Sequence, residues 1–164
     1  MCVDILRTIG ICTAYILLRL FMPRFFNLTR SISIDARAFG SVLIITTTCI
    51  IGYALGVYLP DPWWADRARH VVGGGLAVTL ACFCALREGA PRLGVPRFAA
   101  LATCTVSILG LINECGEFLL GITDPRYTFD RYDTEWDLIS NTVGLIVGIC
   151  VLAPFARKDP VRSW

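Results

Sequence analysis

Three short groups of ionisable residues stand beside long apolar runs: Asp66-x-x-x-His70, Asn113-Glu114-x-x-Glu117 and Asp133-x-x-x-Asp137-x-x-x-Asn141. Charge at or inside hydrocarbon is costly, so such groups usually face a bundle interior or a cavity and mark function. At ~100° per residue, Asp66 and His70 lie ~40° apart on one helix face and Glu114 and Glu117 lie ~60° apart. Asp133, Asp137, Asn141, Gly144 and Gly148 fall within ~80° if their helix begins by Asp133. One imidazole among carboxylates suits a divalent metal such as Zn²⁺ or Mn²⁺, with Asp66, His70, Glu114, Glu117, Asp133 and Asp137 as candidate ligands. Glu114 and Glu117 are also candidate acid–base groups. Packed carboxylates repel, so a cation, a shared proton or Arg67, Arg69, Arg126 and Arg131 must compensate them. Arg67, Arg126, Arg131 and Asn141 are the candidate ligand-binding groups. The competing reading is a salt-bridge and capping network that holds no ligand.

Positioning these residues is a task for membrane helices. The chain has 164 residues, 55% hydrophobic and only 17% charged, more apolar than a soluble domain of this length requires. A helix crossing ~30 Å of hydrocarbon needs roughly 20 apolar residues. Four runs qualify, about Ala38 to Leu59, Arg69 to Leu86, Phe98 to Leu120 and Trp136 to Phe155. A fifth, about Ile5 to Met22, carries Arg7 and Arg19, placed to snorkel to the two interfaces, and is ended by Pro23. The expected fold is all-α, a single polytopic membrane domain over residues 1–164 with about five transmembrane helices. Without a span at 5–22, the N-terminus moves to the other side.

Basic short loops stay in the cytoplasm. Arg24, Arg30 and Arg37, then Arg87, Arg92 and Arg97, then Arg157, Lys158 and Arg162 mark one side; the connections around Asp61–Arg69 and Gly121–Glu135 lack a basic excess and belong on the other. The expectation is an inner (plasma) membrane protein with its N-terminus outside and its C-terminus cytoplasmic. All three polar groups then lie at the same outer depth, as one shared site requires. Trp63, Trp64 and Trp136 fall there too, as an interfacial aromatic belt.

The fourteen arginines and one lysine form no basic stripe, which argues against nucleic-acid binding. The eight cysteines make no CxxC pair and read mostly as small buried residues. Gly73-Gly74-Gly75 reads as a site of close helix contact or a local break. No P-loop, HExxH or GxSxG is present.

Asp66-Arg67-x-x-His70, Glu114-x-x-Glu117 and Asp133-Thr134-Glu135-Trp136-Asp137, each with an apolar helix behind it, resemble the YjdF-like family of small bacterial inner-membrane proteins. Asp137-x-x-x-Asn141-x-x-Gly144-x-x-x-Gly148 is more distantly similar to the VanZ-like family linked to teicoplanin resistance. The likeness covers about Asp61 to Gly148. It departs from the VanZ-like pattern at Glu117, where a more neutral polar residue is expected, and is shorter than the YjdF-like pattern before the His. The resemblance implies a polytopic membrane protein with a cell-envelope role and no specified reaction.

The sequence therefore predicts a membrane protein whose extracytoplasmic His/carboxylate site binds a divalent cation and, through it, a polar or phosphate-bearing envelope lipid or glycolipid. A transporter or lipid-translocating protein coupled to ions or protons is the alternative, and a structural subunit without a ligand is a third. The expected partners are membrane lipids, with an oligomer or larger membrane assembly also compatible.

Overall fold

The computed structural model describes residues 2–25, 36–89, 94–123 and 131–156. All regular structure among them is helical: α1 (Cys2–Phe25), α2 (Ala36–Tyr58), α3 (Pro62–Arg69), a π-helical segment (His70–Leu76), α4 (Ala77–Gly89), α5 (Val95–Thr123), α6 (Arg131–Leu152) and a final 3₁₀ turn (Ala153–Ala156). The protein is a polytopic all-α membrane protein. Four helical stretches are long and apolar enough to cross a membrane: Ala36–Tyr58, Pro62–Glu88, Val95–Ile122 and Tyr132–Ala156. The α1 helix is not one of these four, but its 24 residues cover ~36 Å at ~1.5 Å per residue. It continues past Pro23 to Phe25 instead of ending there.

The rod formed by α3, the π segment and α4 is the centre of the bundle. Within its apolar window 56% is buried, against 28%, 22% and 28% for the other three spans. It packs on α1, α2, α5 and α6, while α2, α5 and α6 turn residues such as Leu43, Ile50, Ile112 and Ile146 outward. Outward apolar faces are what a lipid solvent selects. Tyr15, Ile45, Val78, Cys82 and Phe98 form part of the interior cluster.

The central rod begins at Pro62, seven residues before the expected start at Arg69. Asp61 is its N-cap, accepting hydrogen bonds from the backbone N–H of Trp63 (2.8 Å) and Trp64 (3.3 Å). Proline follows at the first helical position, where its missing N–H is no loss. Asp61-Pro62 is thus a helix start instead of part of a loop. Similarly, α6 begins at Arg131 instead of near Trp136, which places Asp133 and Asp137 on one helix.

The triple glycine produces both expected effects. A Cβ on Gly75 would lie 2.6 Å from Gly144 Cα and 2.8 Å from Leu145 N; one on Gly144 would lie 2.9 Å from Gly75 Cα. The backbones of the central rod and α6 therefore touch, the close approach that small residues permit in membranes. Here the rod also widens into a π-helix, the Ala77 N–H donating to Val72 C=O. Bonding of the i→i+5 type shifts the side-chain register. Below His70, Gly74, Gly75 and Thr79 lie against α6, whereas a Cβ on Gly73 would meet nothing within 4 Å.

Cysteine burial is narrower than expected. Cys49 and Cys82 are buried and Cys12 and Cys84 half-buried, whereas Cys104, Cys115 and Cys150 face outward. Phe83 and Phe98 join α4 to α5 edge-to-face with centroids 5.7 Å apart.

Candidate metal centre

The three polar groups meet at one end of the bundle. Arg67, 5% exposed, donates from Nη2 to Asp66 Oδ2 (2.6 Å) and Asp133 Oδ1 (2.5 Å). The same nitrogen lies 2.9 Å from Asp137 Oδ1. One guanidinium is thus held by three carboxylates from two helices. His70 Nε2 lies 3.4 Å from Asp137 Oδ2, both residues being buried. The five-residue stripe on α6 is turned to the central rod: Asp133 and Asp137 reach Arg67, Asn141 lies against Gly74, Gly144 against Gly75 and Gly148 against Thr79.

From α5, Glu114 is buried and Glu117 is half-buried. Asn113 Nδ2 donates to Glu114 Oε1 (3.2 Å) and Glu117 Oε1 (3.0 Å). Arg7 of α1 closes this side, its Nε donating to Asn113 Oδ1 at 2.7 Å and its Nη2 pairing with Glu117. Arg7 therefore reaches inward to a carboxylate instead of snorkelling to headgroups. A partner in the interior outcompetes the interface when desolvation is shared with an opposite charge.

Two sets of ligand atoms emerge, Asp66–His70–Asp137 and Glu114–Glu117–Asp137, with all atoms of each set within 4.8 Å of one another. An ion with bonds of about 2.1–2.4 Å places opposite ligands about 4.2–4.8 Å apart. Small rotamer adjustments would bring either trio to coordination distance. Both contain the buried Asp137. Asp133 belongs to neither; half-exposed at 51%, it pairs with Arg67. Asn141 is buried and its Oδ1 receives no formed hydrogen bond. Arg126 lies outside the described residues, as does the side chain of Arg131.

Charge bookkeeping sharpens the picture. Asp66, Asp133, Asp137, Glu114 and Glu117 are countered by Arg7, Arg67 and Arg69, the last 3.9 Å from Asp66. Five carboxylates stand against three guanidiniums among these described side chains.

Aromatic rings cover this end. Trp63 packs edge-to-face on Trp64 (4.6 Å) and Trp136 (5.4 Å), with Tyr132 beside Trp136 (6.2 Å). The Arg67 guanidinium lies over Trp63 at 5.6 Å, within cation–π range.

A second polar layer, not foreseen from the sequence, sits at the opposite end. Arg19 is buried and paired with Glu88, which also accepts from Tyr15 Oη (2.8 Å) and Ser41 Oγ (2.5 Å). Arg19 too points inward instead of snorkelling. Glu88 stands beside Arg87 near a span end, so in sequence it looks like a solvated loop charge; the sparse clue was Arg19 inside an apolar run with no local acid.

A model of the family described as "Predicted membrane protein (DUF2238)" matches residues 7–158. The chain belongs to this family. No curated protein and no solved structure matches it.

Proposed function

We propose that this membrane protein binds one divalent cation at the His70 end of its bundle, through carboxylates centred on Asp137. The observation that carries the reading is that both ligand trios share this buried aspartate, in a site where carboxylates outnumber guanidiniums among the described side chains. Buried charge needs a counter-charge, and a single Zn²⁺ or Mn²⁺ provides it. Arg67 and Arg7 flank the site, and a cation held by three protein ligands would keep open coordination positions for the oxygens of a phosphate or other anionic headgroup. The ligand is accordingly an envelope lipid or glycolipid bearing such a group. The basic segments orient this end away from the cytoplasm, in keeping with the likeness to YjdF-like and VanZ-like proteins and an envelope role.

Elemental analysis of the detergent-purified protein, with melting temperature recorded before and after chelation, tests the cation. About one metal per chain and a lower melting temperature after chelation are expected. His70→Gln and Asp137→Asn should each lose the metal with the helices still inserted. Full metal content in both variants, or none in the unaltered protein, overturns the reading.

Proton- or ion-coupled transport is a second reading, favoured by the Arg19–Glu88 layer at the other end. Among the described residues, the interior between the layers holds Ile11, Cys49 and Val78. Flux into liposomes driven by a proton gradient and abolished by Glu114→Gln would favour transport.

A further inference from the structure

A cavity of ≈ 290 Å³ borders the carboxylate–His site. Its floor is the central rod from His70 to Val78, and its walls are α1 with α2 on one side and α5 on the other. The α1 and α5 helices pack on α4 but make no extended contact with each other, meeting through the Arg7 bridge to Asn113 and Glu117. The cavity is partly open, and among its lining residues Leu6 of α1 and Ile112 of α5 are 67% and 60% exposed. Below the polar bridge the lining is predominantly aliphatic or glycine.

We propose that this cavity receives one hydrocarbon chain of a membrane lipid, entering between α1 and α5, with the lipid's anionic headgroup held at the carboxylate–His end. The headgroup assignment rests on the cation reading above; the chain assignment rests on the cavity. A transmembrane helix does not fit. At ~10 Å wide and ~1.5 Å rise, a helix needs on the order of 100 Å³ per residue, so the space would hold less than one turn. At ~30 Å³ for a group the size of water, its volume matches roughly ten such groups, on the order of ten carbons of chain. Polarity runs the same way as in a lipid: Arg7, Glu117 and His70 at one end, Ile11, Val78 and Leu109 toward the other.

Two glycines in the lining supply the test. Both line the cavity, and a Cβ on Gly10 of α1 or on Gly116 of α5 would meet nothing within 4 Å, so a leucine at either position has room at its branch from the backbone and favours the helix. The protein is reconstituted in phosphatidylcholine nanodiscs containing a single-chain hexadecyl phosphate with a diazirine midway along its chain, irradiated, and the labelled peptides are mapped. Labelling is expected on the cavity-facing residues of α1 and α5, falling to background in both Gly10→Leu and Gly116→Leu while melting temperature and metal content are retained. Labelling unchanged by both substitutions, or labelling confined to the outward faces of α2, α5 and α6, overturns the proposal. Metal content separates the two readings. Unaltered protein that carries no metal yet is labelled in the substitution-sensitive way sinks the cation alone; metal-loaded protein whose labelling ignores both leucines sinks the chain alone.

Discussion

Arg67 shows how a single side chain organises the site. Its planar guanidinium addresses Asp66, Asp133 and Asp137 together while stacking over Trp63, a fork geometry that lysine cannot reproduce. Removing one partner of a buried charge cluster leaves the others unpaired and costs about 3–5 kcal/mol. Arg67→Met should therefore lower stability by that order, with Arg67→Lys intermediate, measured by unfolding in a defined detergent. Equal stability of all three proteins would show that the guanidinium bears no net load. The Arg19–Glu88 pair allows a cleaner cycle. Arg19→Met or Glu88→Gln alone should be strongly destabilising and the double variant less so than the sum, because it buries no unpaired charge; strict additivity would contradict the contact. That Asp66, His70, Glu114, Glu117 and Asp137 gather at one end of the bundle was legible because ionisable residues in apolar runs are conspicuous. Glu88 was not, since a carboxylate near a span end looks the same whether it meets water or a distant arginine.

At the level of helices, the contact between the central rod and α6 sets the site's dimensions. Gly75 and Gly144 meet backbone to backbone, and Asp137 stands two turns before Gly144 on the same stripe. Gly75→Ala or Gly144→Ala inserts a methyl where no space exists, and overpacking of this kind costs about 1–3 kcal/mol. Both should also push α6 away and weaken metal retention. Gly116→Ala, with open space around its added Cβ, should be neutral or stabilising by up to ~1 kcal/mol. The contrast among three chemically identical substitutions is read from their melting temperatures; a common effect would argue against the close helix crossing. Helix content was legible from apolar run length, and the α6 face from its period. The π segment was not, because glycines signal permission for an irregular turn without saying which hydrogen bonds it will adopt. Along it Gly75 and Thr79 lie against α6, whereas a Cβ on Gly73 would meet nothing within 4 Å.

The whole molecule is a bundle around one buried rod, with polar layers near its two ends. Arg7 and Arg19 are twelve residues apart on α1, ~18 Å along the axis, so this helix bridges the layers and is tied at both. If the basic segments orient the chain as their charge implies, a cytoplasm-active reporter fused after Trp164 should be active and one inserted near Asp130 inactive; the reverse pattern would invert the map. Apolar run length and charge placement depend only on local sequence and the solvent it must match, so membrane residence, an all-helical fold and the conspicuous polar groups could be read directly. Which of those groups come within ligand distance of one another, and whether an arginine reaches outward or inward, depend on helix rotation and on partners more than a hundred residues away, as for Arg7 and Glu117. Such long-range pairing is a property of packing. Only the assembled bundle, by bringing Gly75 against Gly144 and leaving α1 apart from α5, makes both the shared aspartate and the cavity beside it.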